Sequence, residues 1–150
     1  MRIGVISDTH GLLRPEALAA LEGVAHILHA GDVGKPGILE ALEEIAPVTA
    51  IRGNVDTAPW AAALPDTVTV KLGGRRFHML HDVKELTAPP PGADAVIFGH
   101  SHKPGAEARD GVLYLNPGSA GPRRFRLPVT LAVVETGPEG LHHEILPLLD

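Results

Sequence analysis

Seven residues are of types that do chemistry together: Asp8, His10, Asp32, Asn54, His81, His100 and His102. Carboxylate, imidazole and amide oxygen form the ligand set of borderline divalent ions such as Mn, Fe, Zn or Ni, whereas an all-oxygen set suits Mg or Ca. Four imidazoles argue against a calcium site. Asp8-Thr9-His10 and His100-Ser101-His102 each place two such residues at a spacing of two, and in extended backbone residues i and i+2 project to one side. Both members of each pair can then face one site. The chain has no Cys, so any metal is held by oxygen and imidazole.

The elements that must position these residues can be read from the hydrophobic pattern. Arg2 to Ser7 is a β-branched run that reads as a buried strand, and Pro15 to Leu21 as a helix with Pro in its first turn. His26 to Ala30 is a second strand, and Pro36 to Ala46 a second helix with Ile38, Leu39, Leu42 and Ile45 at helical spacing. Val48 to Ile51 is a third strand. Strands alternating with helices predict βαβ units and a parallel sheet. From residue 67 the pattern turns to β. Thr67 to Leu72 and Arg75 to His81 flank Gly73-Gly74, a pair suited to a primed hairpin turn. Ala95 to Phe98, Val112 to Leu115, Thr130 to Glu135 and Leu141 to Leu146 follow, the last two joined by Gly137-Pro138-Glu139-Gly140. The expectation is an α/β protein of two packed mixed β-sheets flanked by helices.

On this reading strand ends deliver the seven residues: Asp8 and His10 after the first strand, Asp32 after the second, Asn54 after the third, His81 after the hairpin, His100 and His102 after Phe98. In open α/β sheets ligands bind outside the carboxyl ends of strands, where such residues converge.

Length and composition bound the rest. A chain of 150 residues, 44% hydrophobic and 21% charged, fits one globular domain over 1–150. The net charge of −5 and the absence of a basic stripe argue against passive nucleic-acid binding, so an anionic substrate needs locally supplied positive charge, as from bound metal ions. The N-terminal apolar run is too short for a signal-peptide core, and no run approaches the ~20 residues needed to cross a bilayer. These features lead us to expect a cytoplasmic protein with no membrane partner.

The blocks Ser7-Asp8-Thr9-His10-Gly11, Ala30-Gly31-Asp32, Arg52-Gly53-Asn54-Val55-Asp56, His81, Gly99-His100-Ser101-His102 and Asn116-Pro117-Gly118-Ser119 span nearly the whole chain. In that order they resemble the calcineurin-like metallophosphoesterase family, in its small single-domain bacterial and archaeal phosphodiesterase branch. The resemblance implies a four-layer αββα sandwich. It also implies two divalent metal ions, one bound by Asp8, His10, Asp32 and His102, the other by Asp32, Asn54, His81 and His100, with Asp32 bridging. Mn is the first candidate, with Ni, Fe, Zn or Mg as alternatives. A hydroxide between the ions would attack a phosphate ester in line, and we take Asp32, Asn54 and His81 as catalytic. The expected partner is a small phosphate ester, nucleotide-like among the options, with a homodimer or higher homo-oligomer as a further expectation. A non-catalytic scaffold on the same fold, like a retromer coat subunit with a degraded metal site, is the alternative.

Two positions depart from the wider family. Val55 stands where several members carry a His thought to help protonate the leaving group, which predicts a preference for good leaving groups. Asp82 follows His81 where relatives often show Gly, and could act beside the ligand or face solvent. His26, His29, His78, His142 and His143 read as structural or exposed, with His29 the candidate for supporting the site. The glycines read as turn residues or points of close backbone approach. Arg123, Arg124 and Arg126 read as a solvated loop, with steering or clamping of a phosphate as the alternative, and Trp60 as core packing, a subunit contact or a residue that stacks on a base or covers the site.

Overall fold

The computed structural model describes residues 1–149. Five strands form the first sheet: β1 (Arg2–Ile6), β2 (His26–His29), β3 (Val48–Ala50), β9 (Thr130–Gly137) and β10 (Gly140–Pro147), in the order β10-β9-β1-β2-β3. The second contains β4 (Thr67–Leu72), β5 (Arg75–Leu80), β6 (Ala95–Ile97), β7 (Gly105–Arg109) and β8 (Val112–Asn116), in the order β4-β5-β6-β8-β7. Each sheet has a parallel block: β1-β2-β3 runs to the sheet edge at β3 with antiparallel β9 and β10 on its other side, and β5-β6-β8 lies between antiparallel β4 and β7. The parallel strands of each sheet therefore end at one edge of that sheet.

Alternation along the strands sorts the core. Ile3, Val5, Leu28, Ala132 and Val134 meet Phe77, Met79, Ala95, Ile97 and Leu115 in the space between the sheets. The other face of the first sheet, with Ile6, Ile27, Leu131 and Val133, packs against Ala17 and Leu21 near α1 (Pro15–Ala20) and Ile38 and Leu42 of α2 (Pro36–Glu43). Trp60 packs against this same cluster, which favours the core reading of that residue.

Three differences from the expected elements have physical causes. α2 stops at Glu43, short of Ala46, with Ile45 and Ala46 both donating to the Leu42 carbonyl. Pro47 disfavours helical backbone at the residue before it. β7 was not foreseen because Gly105-Ala106-Glu107-Ala108-Arg109 is exposed throughout and shows no apolar alternation. It exists because Asp110 and Gly111, both at positive φ (50° and 80°), turn the chain tightly into β8. The helical layers are also uneven: both α-helices pack on the first sheet, and between β5 and β6 the only helical piece is a 3-10 turn at Val83–Glu85. Among the described residues no helix is long and apolar enough to cross a membrane.

Candidate metal centre

Short loops after the parallel strands bring Asp8, His10, Asp32, His81 and His102 together. His102 Nε2 lies 3.4 Å from Asp8 Oδ1, with His10 Nε2 at 3.8 Å and His81 Nε2 at 3.7 Å from the same oxygen. Asp32 Oδ2 lies 3.5 Å from His10 Nε2 and 3.1 Å from His81 Nε2. Asp8 has no exposed surface, and Asp32, His81 and His102 are buried. The remaining two candidates stand at the rim. Asn54 is exposed, and the His100 side chain is 46% exposed, its ring centroid 5.3 Å from that of His81.

Each buried carboxylate has one oxygen held by protein and one turned inward. Asp8 Oδ2 accepts from Ser7 Oγ (2.7 Å) and from the His100 N–H (3.2 Å), leaving Oδ1 toward the imidazoles. Asp32 Oδ1 accepts the Val55 N–H (3.0 Å), leaving Oδ2 between His10 and His81. His81 Nδ1 bonds the Ala30 carbonyl (2.7 Å), which makes Nδ1 the donor and aims Nε2 at the carboxylates, where its lone pair is free for a metal once the proton there has left.

Buried polar groups without partners are rare because they forfeit solvation. Four occur here: Asp8 Oδ1, His10 Nε2, His81 Nε2 and His102 Nδ1. The 3.1 Å approach of His81 to Asp32 is an ion-pair contact off the hydrogen-bond direction, so it leaves Nε2 unpartnered. Two triads, Asp8 with His10 and His102, and Asp8 with Asp32 and His81, have donor atoms close enough to hold a cation. A divalent ion fits this set, since it would satisfy anionic oxygens and imidazole lone pairs at once.

Electrostatics agree. Burial works to raise the Asp8 carboxyl, but the His10 and His102 imidazoles, the His81 charge and the Ser7 hydroxyl hold it well below the carboxylate range. Burial likewise opposes, and His81 and the Val55 N–H outweigh it, in keeping Asp32 low. For His81, burial favours the neutral form, yet Asp32, the Ala30 carbonyl and Asp8 push it up to about 9. Without metal, a proton on His81 is the cation between the carboxylates.

The backbone is strained where these side chains leave it. Asp8, His10, Asp32, His100 and His102 all have left-handed φ, between 46° and 72°. Such conformations cost about 1–3 kcal/mol each in non-glycine residues and persist only where surroundings impose them. At Gly31 (φ 101°) a Cβ would sit 2.7 Å from His81 Nδ1, and at Gly99 it would collide with Ser7 Oγ and Asp8 Oδ2. Both positions need the bare backbone.

A supporting layer fixes the loops. His29 is fully buried: its Nδ1 accepts the Gly31 N–H (3.2 Å), and Thr9 Oγ1, which donates to the Val33 carbonyl, accepts from Nε2–H (3.0 Å). Both ring nitrogens are used by the neutral form. Burial accordingly lowers His29 to about 4, against the pull of Asp8 and Asp56. Ser119 Oγ donates to the Asp8 carbonyl, and Asn116 Nδ2 donates to the Gly99 carbonyl, so the Asn116–Ser119 turn packs beneath the site. Asp56 escaped the sequence reading as a structural clamp. It is buried and accepts from the N–H groups of Val33, Gly34 and Gly53, tying the second and third loops together. Its position two residues beyond Asn54 was the available signal.

Asp82 accepts the Lys84 N–H and lies 3.8 Å from His100 Nε2, beside the candidate ligand rather than free in solvent. The Val55 side chain is half exposed and offers no proton. His26 bonds Thr49 and His78 bonds Thr69, while His142 and His143 are exposed. The Arg123–Arg126 loop is exposed, with Phe125 at 94%.

Residues 1–139 match the sequence model of the calcineurin-like phosphoesterase superfamily domain. A probable metallophosphoesterase of Methanothermobacter thermautotrophicus is 36% identical, the alignment covering 97% of this chain and 92% of the relative. A solved structure described as a novel archaeal phosphodiesterase superimposes with a TM-score of 0.80 at 26% identity, covering 97% of this chain and all of that one. Vacuolar protein sorting 29 from Cryptosporidium parvum shares the fold, with a TM-score of 0.76 at 19% identity over 97% of this chain and 96% of that one.

Proposed function

The chain belongs to the calcineurin-like phosphoesterase superfamily, and on that premise we propose that it is a phosphodiesterase dependent on two divalent ions held by Asp8, His10, Asp32, Asn54, His81, His100 and His102. The observation that carries this reading is the set of four unpartnered buried atoms on facing Asp and His side chains. When bound, divalent ions supply positive charge to phosphoryl oxygens and acidify a water into a nucleophile near neutral pH.

The protein's own groups prepare that chemistry. Asp32, fixed by the Val55 N–H, presents Oδ2 to both the His10 and the His81 side and would serve as a shared ligand, while Asp8, common to both donor triads, would hold the inner side of the centre. His81 is aimed by the Ala30 carbonyl. Asn54 and His100, exposed at the rim, are placed to meet the substrate from the solvent side. Because Val55 offers no proton, the leaving group departs as an anion, and esters of acidic alcohols react fastest. Competent donors at all seven positions favour catalysis over a scaffold role. Manganese is the first ion to try, then nickel, iron, zinc and magnesium.

The test is hydrolysis of bis-p-nitrophenyl phosphate and p-nitrophenyl phosphate by metal-stripped protein with each ion restored. Metal-restored turnover, faster on the diester, is expected. Absence of turnover on both esters with every ion would refute the enzyme and leave the scaffold.

A further inference from the structure

Beside the rim lies a cavity of about 230 Å³ whose wall includes Asn54, His81, Asp82 and Glu85. His81, buried and with Nε2 unpartnered, joins this cavity to the candidate metal centre. A phosphodiester held at that centre carries two ester substituents, and this cavity is a built place for one of them. Its charges are uneven. Asp66, Asp82 and Glu85 contribute three carboxylates. The one lining guanidinium, Arg52, is spent on Asp66, with Nε and Nη2 at 3.0 and 2.9 Å from the same carboxylate oxygen, which leaves Asp82 and Glu85 as the carboxylates it does not offset. Asp82 faces His100 and the nearby N–H of Lys84, which leaves its charge at the cavity wall. Leu80 gives an apolar surface, and Thr67 and Asn54 offer hydrogen-bonding groups.

We propose that this cavity is a specificity subsite for a small uncharged or cationic alcohol substituent, such as a polyol or an amino alcohol, and that it rejects substituents carrying further negative charge. The inference rests on the phosphodiesterase reading and narrows it, turning the substrate away from nucleoside polyphosphates. Carboxylates lining a cavity attract an ammonium group and repel a second anion, and in partly exposed settings each charge contributes modestly. The selectivity is therefore a matter of several charges acting together.

The experiment uses manganese-loaded protein and three methylphosphonate monoesters, of choline, butanol and 3-hydroxybutyrate, whose single ester group removes ambiguity about which substituent enters. Calorimetry gives their dissociation constants, and inhibition of bis-p-nitrophenyl phosphate hydrolysis gives a second measure. Choline ester binding at least about fivefold tighter than the carboxylate-bearing ester, with the butyl ester between, is expected from several exposed charge pairs. Glu85→Gln should shrink that ratio and Glu85→Lys should invert it. Equal affinities in a protein that does hydrolyse the diester, or a ratio that Glu85→Lys leaves unchanged, would overturn the subsite alone. A protein that hydrolyses nothing and binds none of the three would overturn the phosphodiesterase reading with it.

Discussion

Asp8 is sealed from solvent with one oxygen bonded twice, whereas Asn54 and His100, candidates for the same centre, stand at its rim. The inner half, Asp8, His10, Asp32, His81 and His102, of which only His10 is partly exposed, is organised before any ligand arrives, and its cost is visible in unpartnered atoms on Asp8, His10, His81 and His102. The exposed half has room to adjust. Preorganisation matters most where charge must be held away from water, while access for a substrate requires that part of the centre stay open. Core packing supplies the first, and the ends of the loops supply the second.

That contrast sets the order of expected effects. Removing Asp32, whose Oδ2 faces both His10 and His81, should be the most damaging change. Asp32→Ala is expected to lower kcat/KM at least ~10³-fold, the scale of losing a principal electrostatic stabiliser, as measured by steady-state diester hydrolysis. Next comes the layer beneath the inner half. His29 is lowered to about 4 by burial, so folding keeps it neutral while the unfolded chain protonates it near 6.5. Its contribution is complete above pH 6.5 and is lost as pH falls from 6.5 toward 4, by up to about 3 kcal/mol. Urea unfolding of the metal-free protein across that window should show the decline, and an NMR titration in which His29 protonates near 6.5 in the folded protein would contradict it.

In the exposed half, Asn54→Ala or His100→Ala should cost about 10–100-fold in activity or metal affinity, as little as the loss of a group that only orients a metal ligand, because these two donors stand at the open rim. Higher manganese should restore much of the rate. Losses equal to that of Asp32→Ala, unrelieved by metal, would erase the distinction between the halves. The smallest effect concerns the proton on His81. Raised to about 9 in the metal-free protein, it must leave Nε2 before a metal binds. Manganese affinity should rise about tenfold per pH unit up to about 9 and then level off. Calorimetry in buffers of different ionisation enthalpy near pH 7.5 should detect release of close to one proton.

Much of this was legible because the strands that lead to Asp8, Asp32 and His81 carry the core residues Ile3, Val5, Ile6, Ile27, Leu28, Phe77, Met79 and Leu80, and a charged or chelating residue follows shortly after each strand ends. Ile3, Val5 and Leu28 announce a buried strand by composition alone. The hairpin through Gly73-Gly74 was equally plain, for both glycines take positive φ. What stayed hidden depends on partners distant in sequence. β7 has no side-chain pattern and is made by its turn and by β8. The clamp formed by Asp56 depends on backbone N–H groups of Val33 and Gly34, more than 20 residues earlier. The unequal depth of the seven candidates was also unreadable, and so was the cause of their convergence: a spacing of two turns side chains to one side only in extended backbone, whereas Asp8, His10, His100 and His102 all take left-handed φ, so the loops and not the pleat turn these side chains to one site.

The most direct test is anomalous diffraction from crystals of the manganese-loaded protein, collected at the manganese edge. Two peaks are expected among the Asp and His side chains of the centre, one against Asp8, His10 and His102 and one against Asp32 and His81. Manganese bound elsewhere, with Asp8 Oδ1 and His81 Nε2 still unpartnered, would contradict it.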